Sequence, residues 1–244
     1  MELIKLSKRL QTVANMVTKG SVVADIGTDH GYLPIYLAQN NISEHVIAMD
    51  VNKGPLNKAF QNIRQLHLES KIDIRLSNGL DLLEKNEANT VIICGMGGKL
   101  IVKILERGRD KISQDSELIL SPQSEIQLFR EYLLHNEYRI VKEDMLIDDG
   151  KFYVIIKCKL DVEACQLETD ELEADECDVY LKYGKYLLEH KNDILKEYLI
   201  KEQKSYLKIR ENVDNCNSEL AEQRIKEIDY ELRCIEEGLN YYEM

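Results

Sequence analysis

The feature that most constrains the fold is an alternation of short apolar segments with longer amphipathic ones over the first 160 residues. The short segments are rich in β-branched residues and bounded by turn residues, which predicts β-strands. Val91–Cys94 is apolar on both faces, as a strand must be when helices cover both sides of a sheet. The predicted strands are Val22–Gly27, Val46–Val51, Ile72–Ser77, Thr90–Gly95, Glu117–Pro122, Tyr138–Ile147 and Phe152–Cys158.

The amphipathic segments between these strands predict helices. They are Tyr32–Asn40, Pro55–Leu68, a short one near Leu80–Leu83, Gly98–Asp110 and Ser124–Leu134. Alternating strands and helices favour a mostly parallel, doubly wound α/β sheet. Asp148–Lys151 joins the last two strands with a tight-turn signal, so the sheet is expected to end in an antiparallel hairpin. That C-terminal β-hairpin is typical of Rossmann-like class I methyltransferases, whereas dehydrogenase domains more often end with a parallel strand.

The C-terminal third differs in charge and pattern. Residues 1–158 hold 20 basic and 21 acidic residues, whereas residues 159–244 hold 12 and 23. Residues 160–178 contain nine acids and no Lys or Arg, which indicates a solvated linker or the beginning of a helix. Apolar residues then recur at steps of three and four, which predicts two long helices, roughly 178–213 and 218–241.

These helices are expected to fold back at Asp214–Ser218 as an antiparallel coiled coil; the alternative is one long helix through Cys216. The predicted domains are therefore residues 1–160 and an acidic linker with a helical coiled-coil domain, residues 161–244. The extension stabilises or dimerises the protein, or it contacts substrate.

Composition excludes several classes of protein. No run of 18 apolar residues occurs, so no membrane partner is expected. Six cysteines without a CxxC pair argue against a metal site and favour free thiols in the cytoplasm. The net charge of −12 disfavours nucleic acid, but it belongs mainly to the tail, and the near-neutral first domain can still carry a basic patch.

The most informative segment is Val22–Leu33, a buried strand followed by a glycine turn and a helix. Nucleotide cofactors bind at this crossover in open α/β sheets. The glycines are Gly27 and Gly31, and Asp29 occupies the place of the middle glycine of the dinucleotide fingerprint. At about 4 Å and an effective dielectric of about 20, each carboxylate–phosphate charge pair costs on the order of 4 kcal/mol.

S-adenosylmethionine carries no phosphate and has two cationic groups, a sulfonium and an ammonium. Asp25 and Asp29 suit that cofactor and misfit a dinucleotide. The alternative is that Thr28 and Asp29 merely cap the helix that starts near Tyr32.

Two further strand ends complete the predicted cofactor site. Asp50 lies 23 residues after Gly27, where an acid accepts hydrogen bonds from ribose hydroxyls. In the loop after the third strand, Asn78 and Gly79 are expected near the adenine, with Leu80 packed on its ring. The alternatives are an ordinary helix cap at Asp50 and a simple turn at Asn78.

The fourth strand ends in Cys94-Gly95-Met96-Gly97-Gly98, and the three glycines suggest close approach of a flat ligand to the backbone. We expect Cys94, Gly95 and Met96 to contact the cofactor, and Gly97 and Gly98 to contact the substrate. The alternative for Cys94 is that its side chain points into the core. No Asn/Asp-Pro-Pro-aromatic motif is present to grip an exocyclic amine, which favours a ring nitrogen as methyl acceptor.

Several polar residues are candidates for the acceptor side. Gln123, at the end of the fifth strand, either recognises a base edge or caps the next helix. His30 is a possible proton acceptor, or packs against the helix start. Lys5, Lys8 and Arg9 either touch phosphates or form a solvated helix face.

Taken together, the chain resembles the bacterial tRNA (adenine-22-N1)-methyltransferase family, TrmK. The residues that carry the resemblance are Leu6–Leu10 with Val13-Ala14, Asp25–Pro34, Asp50 with Gly54-Pro55, Gly95–Gly98 and Asp149–Tyr153. It extends over nearly the whole chain. Asp50 stands where Glu is common, which preserves the ribose role, and Asn78 stands where Asp is common, which weakens adenine recognition.

The resemblance implies S-adenosylmethionine-dependent methyl transfer to N1 of an adenine in tRNA. The adenine must leave its base pair and be aligned. Asp29 and His30 are the catalytic candidates, with Asp29 stabilising positive charge or orienting the base rather than acting as a strong base.

Two other functions remain open. A small-molecule methyltransferase would share every cofactor residue, and a non-catalytic binding protein would share the fold. Salt-dependent binding of tRNA separates the first function from these. The pattern fixes no oligomeric state; a monomer is the working expectation.

Overall fold

The computed structural model describes residues 4–161, 174–214 and 219–243. These residues form two compact units, one within residues 4–161 and the other made of the remaining two ranges. The predicted domain boundary after residue 160 adjoins residues 162–173, which lie outside the described ranges, and it stays a prediction.

The first unit is built on one sheet of seven strands, in the order β3-β2-β1-β4-β5-β7-β6. Strands β1 to β5 pair in parallel, and β7 is antiparallel to both β5 and β6. This confirms the predicted Rossmann-like fold class. The strands are β1 (Ser21–Ile26), β2 (Ser43–Asp50), β3 (Ile72–Leu76), β4 (Thr90–Met96), β5 (Glu117–Pro122), β6 (Tyr138–Asp148) and β7 (Lys151–Leu160).

The central strands are buried on both faces, as their apolar sequences require. In β4, Val91, Ile92 and Ile93 are all buried, and β5 buries Leu118, Ile119 and Leu120 in the same way. The residues 4–161 also form helices α1 (Lys8–Met16), α2 (Tyr32–Gln39), α3 (Lys53–Gln65), α4 (Gly98–Arg107) and α5 (Ile126–His135).

The predicted terminal hairpin is confirmed, and its turn has the expected chemistry. Asp148 pairs with Lys151, so only Asp149 and Gly150 form the turn. Both have positive φ, 49° and 72°, as a type I′ turn requires. This turn places the start of β7 beside the end of β6 at the edge of the sheet.

Three helix predictions in this unit were wrong in detail. Helix α3 begins at Lys53 and ends at Gln65, instead of extending from Pro55 to Leu68. The segment Leu80–Leu83 is a series of turns, in which the Ser77 hydroxyl donates to the Gly79 carbonyl and accepts from the Leu82 N–H. Helix α4 ends at Arg107 instead of Asp110, and a short 3₁₀ turn follows. At Gly108, a Cβ would lie 2.5 Å from the Cβ of Leu80, so the chain turns where only glycine fits.

The second unit contains four described helices, α6 (Ala174–Tyr183), α7 (Lys185–Glu189), α8 (Asp193–Asp214) and α9 (Glu219–Asn240). The prediction of one helix over 178–213 was therefore wrong. Gly184 has φ 90°, outside the helical region, and ends the first piece. Asn192 begins α8, because its side-chain oxygen accepts hydrogen bonds from the N–H groups of Ile194 and Leu195.

Helices α8 and α9 run antiparallel, as predicted. Arg210 forms an ion pair with Asp229, and Gly238 packs beside Leu199, so residues later in α8 meet residues earlier in α9. Of the predicted turn Asp214–Ser218, residues 215–218 lie outside the described ranges.

Candidate active site

The carboxyl ends of parallel strands share one edge of a sheet, which is where ligands bind in open α/β folds. The loop after β1 crosses this edge and is anchored to β2, because the N–H groups of Gly27 and Thr28 both donate to the Met49 carbonyl, at 2.8 and 3.0 Å. Gly27 and Gly31 have φ of 78° and 75°, a conformation that glycine adopts without strain. The predicted glycine turn is therefore present at the predicted crossover.

Asp50, at the end of β2, fixes the backbone around it. Its Oδ2 accepts from the Asp29 N–H at 3.3 Å, and its Oδ1 accepts from the Asn52 N–H at 2.7 Å. The side chain is only 8% exposed. Asp50 thus joins the loops that follow β1 and β2, while its carboxylate lies at the edge where a ribose would bind.

Asp25 is a buried carboxyl, 4% exposed, with no ion pair to any described residue. Burial raises its pKa from 3.8 to about 6, and the negative charge of Asp50 raises it further, while the nearby Thr28 hydroxyl offsets part of the rise. Thr28 Oγ1 is itself buried and makes no well-formed hydrogen bond within the described ranges. A buried carboxylate without a cationic partner, beside a buried hydroxyl, fits a ligand with a cationic, hydrogen-bonding group.

Asp29 and His30 lie on the open side of the same loop. Asp29 has φ 51° and its side chain is 68% exposed, with Oδ1 3.6 Å from His30 Nε2. The His30 ring lies 5.6 Å from the Tyr32 ring. Neither Thr28 nor Asp29 caps α2, because the cap residue is Gly31 and it has no side-chain cap bond. The two catalytic candidates, Asp29 and His30, are thus available to a ligand.

Asn78 and Gly79 lie in the loop after β3. Asn78 is exposed and lines a surface cavity of about 180 Å³ with Leu100, Lys103 and Arg107. Gly79 is buried, with φ 61°, and a Cβ there would lie 3.0 Å from a side-chain carbon of Ile104. Leu80 is fully buried, so it packs in the core and is not presented to a ring at the surface.

At the end of β4, Cys94 and Met96 border the glycine turn. Burial raises the pKa of the Cys94 thiol to about 12; the charge of Asp25 raises it further, and that of Arg9 lowers it. Cys94 is therefore a neutral thiol close to both charges. The methyl carbon of Met96 would lie 2.5 Å from a Cβ on Gly27, so Met96 and Gly27 are in direct contact.

Gly97 and Gly98 are explained by packing within the chain. A Cβ on Gly98 would lie 2.8 Å from the carbonyl oxygen of Ser124 and 2.9 Å from that of Glu125. A Cβ on Gly97 would lie 2.9 Å from the Ser124 hydroxyl. Glycine at these positions lets the start of α4 approach the turn before α5, and their assignment to substrate stays a prediction.

Arg9 is brought to the same edge by α1. Its N–H donates to Asp148 Oδ2 at 3.1 Å, and its guanidinium carbon lies 5.1 Å from the centroid of the Tyr153 ring. A Cβ on Gly95 would lie 3.3 Å from Arg9 Nη1 and 3.8 Å from Gln123 Nε2. Lys5 and Lys8 are exposed.

Sequence reasoning assigned Asp148 and Tyr153 no role in the site. Asp148 was recognised only as part of the turn Asp148–Lys151, and Tyr153 only as part of the family resemblance.

Within the described ranges, no helix is long and apolar enough to span a membrane. The same residues contain no group of three or more His, Cys, Asp or Glu placed to hold a metal ion.

Comparison with known proteins identifies the family. A family model described as a methyltransferase domain matches residues 6–156. A tRNA (adenine(22)-N(1))-methyltransferase of Bacillus subtilis (strain 168) is 33% identical over 98% of this chain and 98% of its own length.

Two solved structures are similar to this chain over 96–97% of its length. The crystal structure of the B. subtilis m1A22 tRNA methyltransferase TrmK has a TM-score of 0.83 at 33% identity, covering 97% of this chain and 99% of that one. Streptococcus pneumoniae Sp1610 in complex with S-adenosyl-L-methionine has a TM-score of 0.81 at 30% identity, covering 96% and 100%. The chain therefore belongs to the TrmK family of tRNA (adenine(22)-N1)-methyltransferases.

Proposed function

We propose that this protein transfers a methyl group from S-adenosylmethionine to N1 of adenine 22 in tRNA. The observation that carries the proposal is the buried Asp25, which has no cationic partner among the described residues and lies near the end of β1, two residues before Gly27. Its relatives supply the acceptor: the B. subtilis protein is named for methylation of adenine 22 in tRNA.

The residues of the cofactor side fit such a molecule by their chemistry. The bound cofactor supplies an electrophilic methyl group on a sulfonium. The carboxylates of Asp25 and Asp29 provide negative charge for its cationic groups, and Asp50 provides acceptors for ribose hydroxyls. Gly27, Thr28, Gly31, Asn78, Gly79, Cys94, Gly95 and Met96 complete the proposed cofactor site.

On the acceptor side, the enzyme must orient the adenine but does not need to remove a proton from it. N1 of neutral adenine has a free lone pair once its base pair is broken, so attack requires no prior deprotonation. The product base is cationic, and Asp29 would stabilise that charge from the exposed side of the loop. His30, whose Nε2 lies 3.6 Å from Asp29 Oδ1, is the proposed proton acceptor. Lys5, Lys8, Arg9, Gly97, Gly98 and Gln123 are the proposed substrate contacts.

The remaining proposals concern the setting of the reaction. The domain of residues 1–160 would carry the chemistry, and the acidic linker and helical coiled-coil domain proposed for residues 161–244 would stabilise it or contact tRNA. A tRNA-modifying enzyme would act in the cytoplasm, here as a monomer.

Nucleoside analysis tests the proposal directly. The protein is incubated with labelled S-adenosylmethionine and unmodified bacterial tRNA, and the tRNA is digested to nucleosides. Labelled 1-methyladenosine is the expected product. Cofactor binding without any labelled nucleoside would contradict the proposal and favour a small-molecule acceptor, whereas failure to bind the cofactor would favour a non-catalytic protein.

A further inference from the structure

The active edge is the edge of the sheet formed by the carboxyl ends of the parallel strands. Among the basic residues near it, Arg9 differs from Lys5 and Lys8 in the burial of its side chain. Lys5 and Lys8 are exposed, as expected for residues that meet an RNA surface through solvent. Arg9 is half-buried, and its Nη1 is fully buried with no hydrogen-bond partner within the described ranges. Leaving a buried charged donor unsatisfied is costly, so such a group indicates a missing acceptor.

The position of Arg9 is fixed by its surroundings. The Ser7 side chain caps α1, and the Arg9 N–H donates to Asp148 Oδ2. That hydrogen bond is the main reason why the pKa of the Asp148 carboxyl is lowered. The guanidinium lies over the Tyr153 ring, with its central carbon 5.1 Å from the ring centroid, a contact that restricts where the side chain can move.

The guanidinium of Arg9 lies beside the end of β4. Arg9 Nη1 lies close to Gly95, which has no side chain: a Cβ on Gly95 would lie 3.3 Å from Nη1 and 3.8 Å from the Gln123 amide nitrogen. The charge of Arg9 also acts on Cys94, the residue before Gly95. Donors from α1 and from the end of β5 thus converge on one small space at the end of β4.

Charge decides which group of the substrate belongs in that space. Methyl transfer leaves a positive charge on the adenine ring, and a fixed guanidinium against the ring would oppose its development. The guanidinium also covers a face of Tyr153, so that face is not free to stack on a base. A phosphate has the opposite charge and accepts two parallel hydrogen bonds from a guanidinium.

We propose that Arg9, oriented by Tyr153 and Asp148 and assisted by Gln123, binds a phosphate flanking the extruded adenosine. The inference rests on the proposed function and deepens it, because it assigns Arg9 to one phosphate of the reacting nucleotide instead of to the general RNA surface. Such a contact holds the flipped nucleotide without reading its sequence.

The test pairs a protein change with a substrate change. Two modified tRNAs are made, one with a neutral methylphosphonate in place of the phosphate 5′ to adenine 22 and one with it 3′ to adenine 22, each with a 2′-deoxy sugar at that linkage. The value of kcat/KM is measured for unmodified tRNA and for each modified tRNA. Tight charge-assisted contacts predict that Arg9→Met lowers kcat/KM on unmodified tRNA roughly tenfold to a hundredfold. On the tRNA whose contacted phosphate is neutral, wild type and Arg9→Met should differ by less than about threefold, since the acceptor is already gone.

Two controls exclude a structural explanation. Lys8→Met is the matched variant, since Lys8 precedes Arg9 in the chain but is exposed. Lys8→Met should change kcat/KM by the same factor on all the tRNAs. Arg9→Lys, which keeps the charge and loses the planar fork, should fall between wild type and Arg9→Met. A general loss of folding would reduce activity on every tRNA equally.

The outcomes separate the two proposals. If wild type does not methylate adenine 22, both are wrong. If it does, and the Arg9→Met loss has the same factor on unmodified and both neutralised tRNAs, the phosphate contact is refuted while the proposed function stands.

Discussion

The carboxylate of Asp50 accepts a hydrogen bond from the backbone N–H of Asp29, with an Oδ2–N distance of 3.3 Å. This bond links the acid at the end of β2 to the loop after β1, in which Asp29 replaces the middle glycine of the dinucleotide fingerprint. The Asp50 carboxylate thereby fixes the backbone position of Asp29, which carries the second carboxylate. The shape of the cofactor site and its negative charge depend on the same pair of residues.

Replacement of Asp50 by Ala should weaken binding of S-adenosylmethionine by at least roughly tenfold, because hydrogen bonds to a charged group each contribute about 1.5–3 kcal/mol. The variant loses the proposed ribose acceptors and the bonds to the amides of Asp29 and Asn52. Isothermal titration calorimetry measures the change. Asp110→Ala removes an exposed acid and should leave the affinity unchanged; equal affinities for wild type and Asp50→Ala would refute the assignment of Asp50.

Asp25 should make the stability of the first unit depend on pH. Its folded pKa is raised from 3.8 to about 6, so the folded protein holds this proton more tightly than the unfolded chain. The stability that Asp25 contributes is therefore greatest below pH 4 and is lost as the pH rises to about 6. The loss is at most about 3 kcal/mol, from about 1.4 kcal/mol for each pKa unit.

Asp25→Asn removes this titration while keeping the side-chain shape. The variant should become more stable relative to wild type as the pH is raised from 4 to 7, measured by urea unfolding at each pH. A difference in unfolding free energy that stays constant over this range would contradict the raised pKa.

The same titration should govern cofactor affinity. A cationic ligand favours the charged form of Asp25, so the affinity of wild type should fall as the pH is lowered through about 6, approaching tenfold for each further pH unit. Asp25→Asn should bind more weakly at pH 7.5 and vary less with pH. Calorimetric titrations between pH 5 and 8 test this, and parallel pH profiles for the two proteins would show that Asp25 does not face the cationic groups.

A buried ion pair outside the active edge should matter for stability alone. Arg130 Nε donates to Glu143 Oε1 at 2.9 Å, and the two side chains are 3% and 0% exposed. Glu143→Ala should lower the free energy of unfolding by about 3–5 kcal/mol, because it leaves a buried charge without this partner.

The matched control for Glu143→Ala is Asp81→Ala, which breaks the exposed pair with Arg107. It should cost less than about 1 kcal/mol. Chemical denaturation compares the two variants, and similar losses in both would contradict the importance of burial.

The sheet could be predicted from sequence because its signals are local. Runs such as Val91–Ile93 can be buried only between two helical layers, and the Asp149-Gly150 turn permits only a tight hairpin. The crossover loop was predictable for the same reason, since its glycines are required by the backbone itself.

Other features depend on contacts between distant segments. The apolar spacing continues across Gly184 and Asn192, so it hides both helix breaks; the glycine was the signal that could have marked the first. The packing of Gly97 and Gly98 against the turn before α5 could not be predicted, because sequence does not distinguish a ligand from a nearby turn of the same chain. The half-buried setting of Arg9 follows from its contacts with Asp148 and Tyr153, which lie about 140 residues away.

The most direct test of the central claim is to map the methylated position. Unmodified tRNA and a variant with adenine 22 replaced by guanine are treated with the protein and S-adenosylmethionine, and 1-methyladenosine is located by the arrest of reverse transcription. The account predicts an arrest at position 22 in the first tRNA and none in the second. Methylation at another position, or equal methylation of both tRNAs, would contradict it.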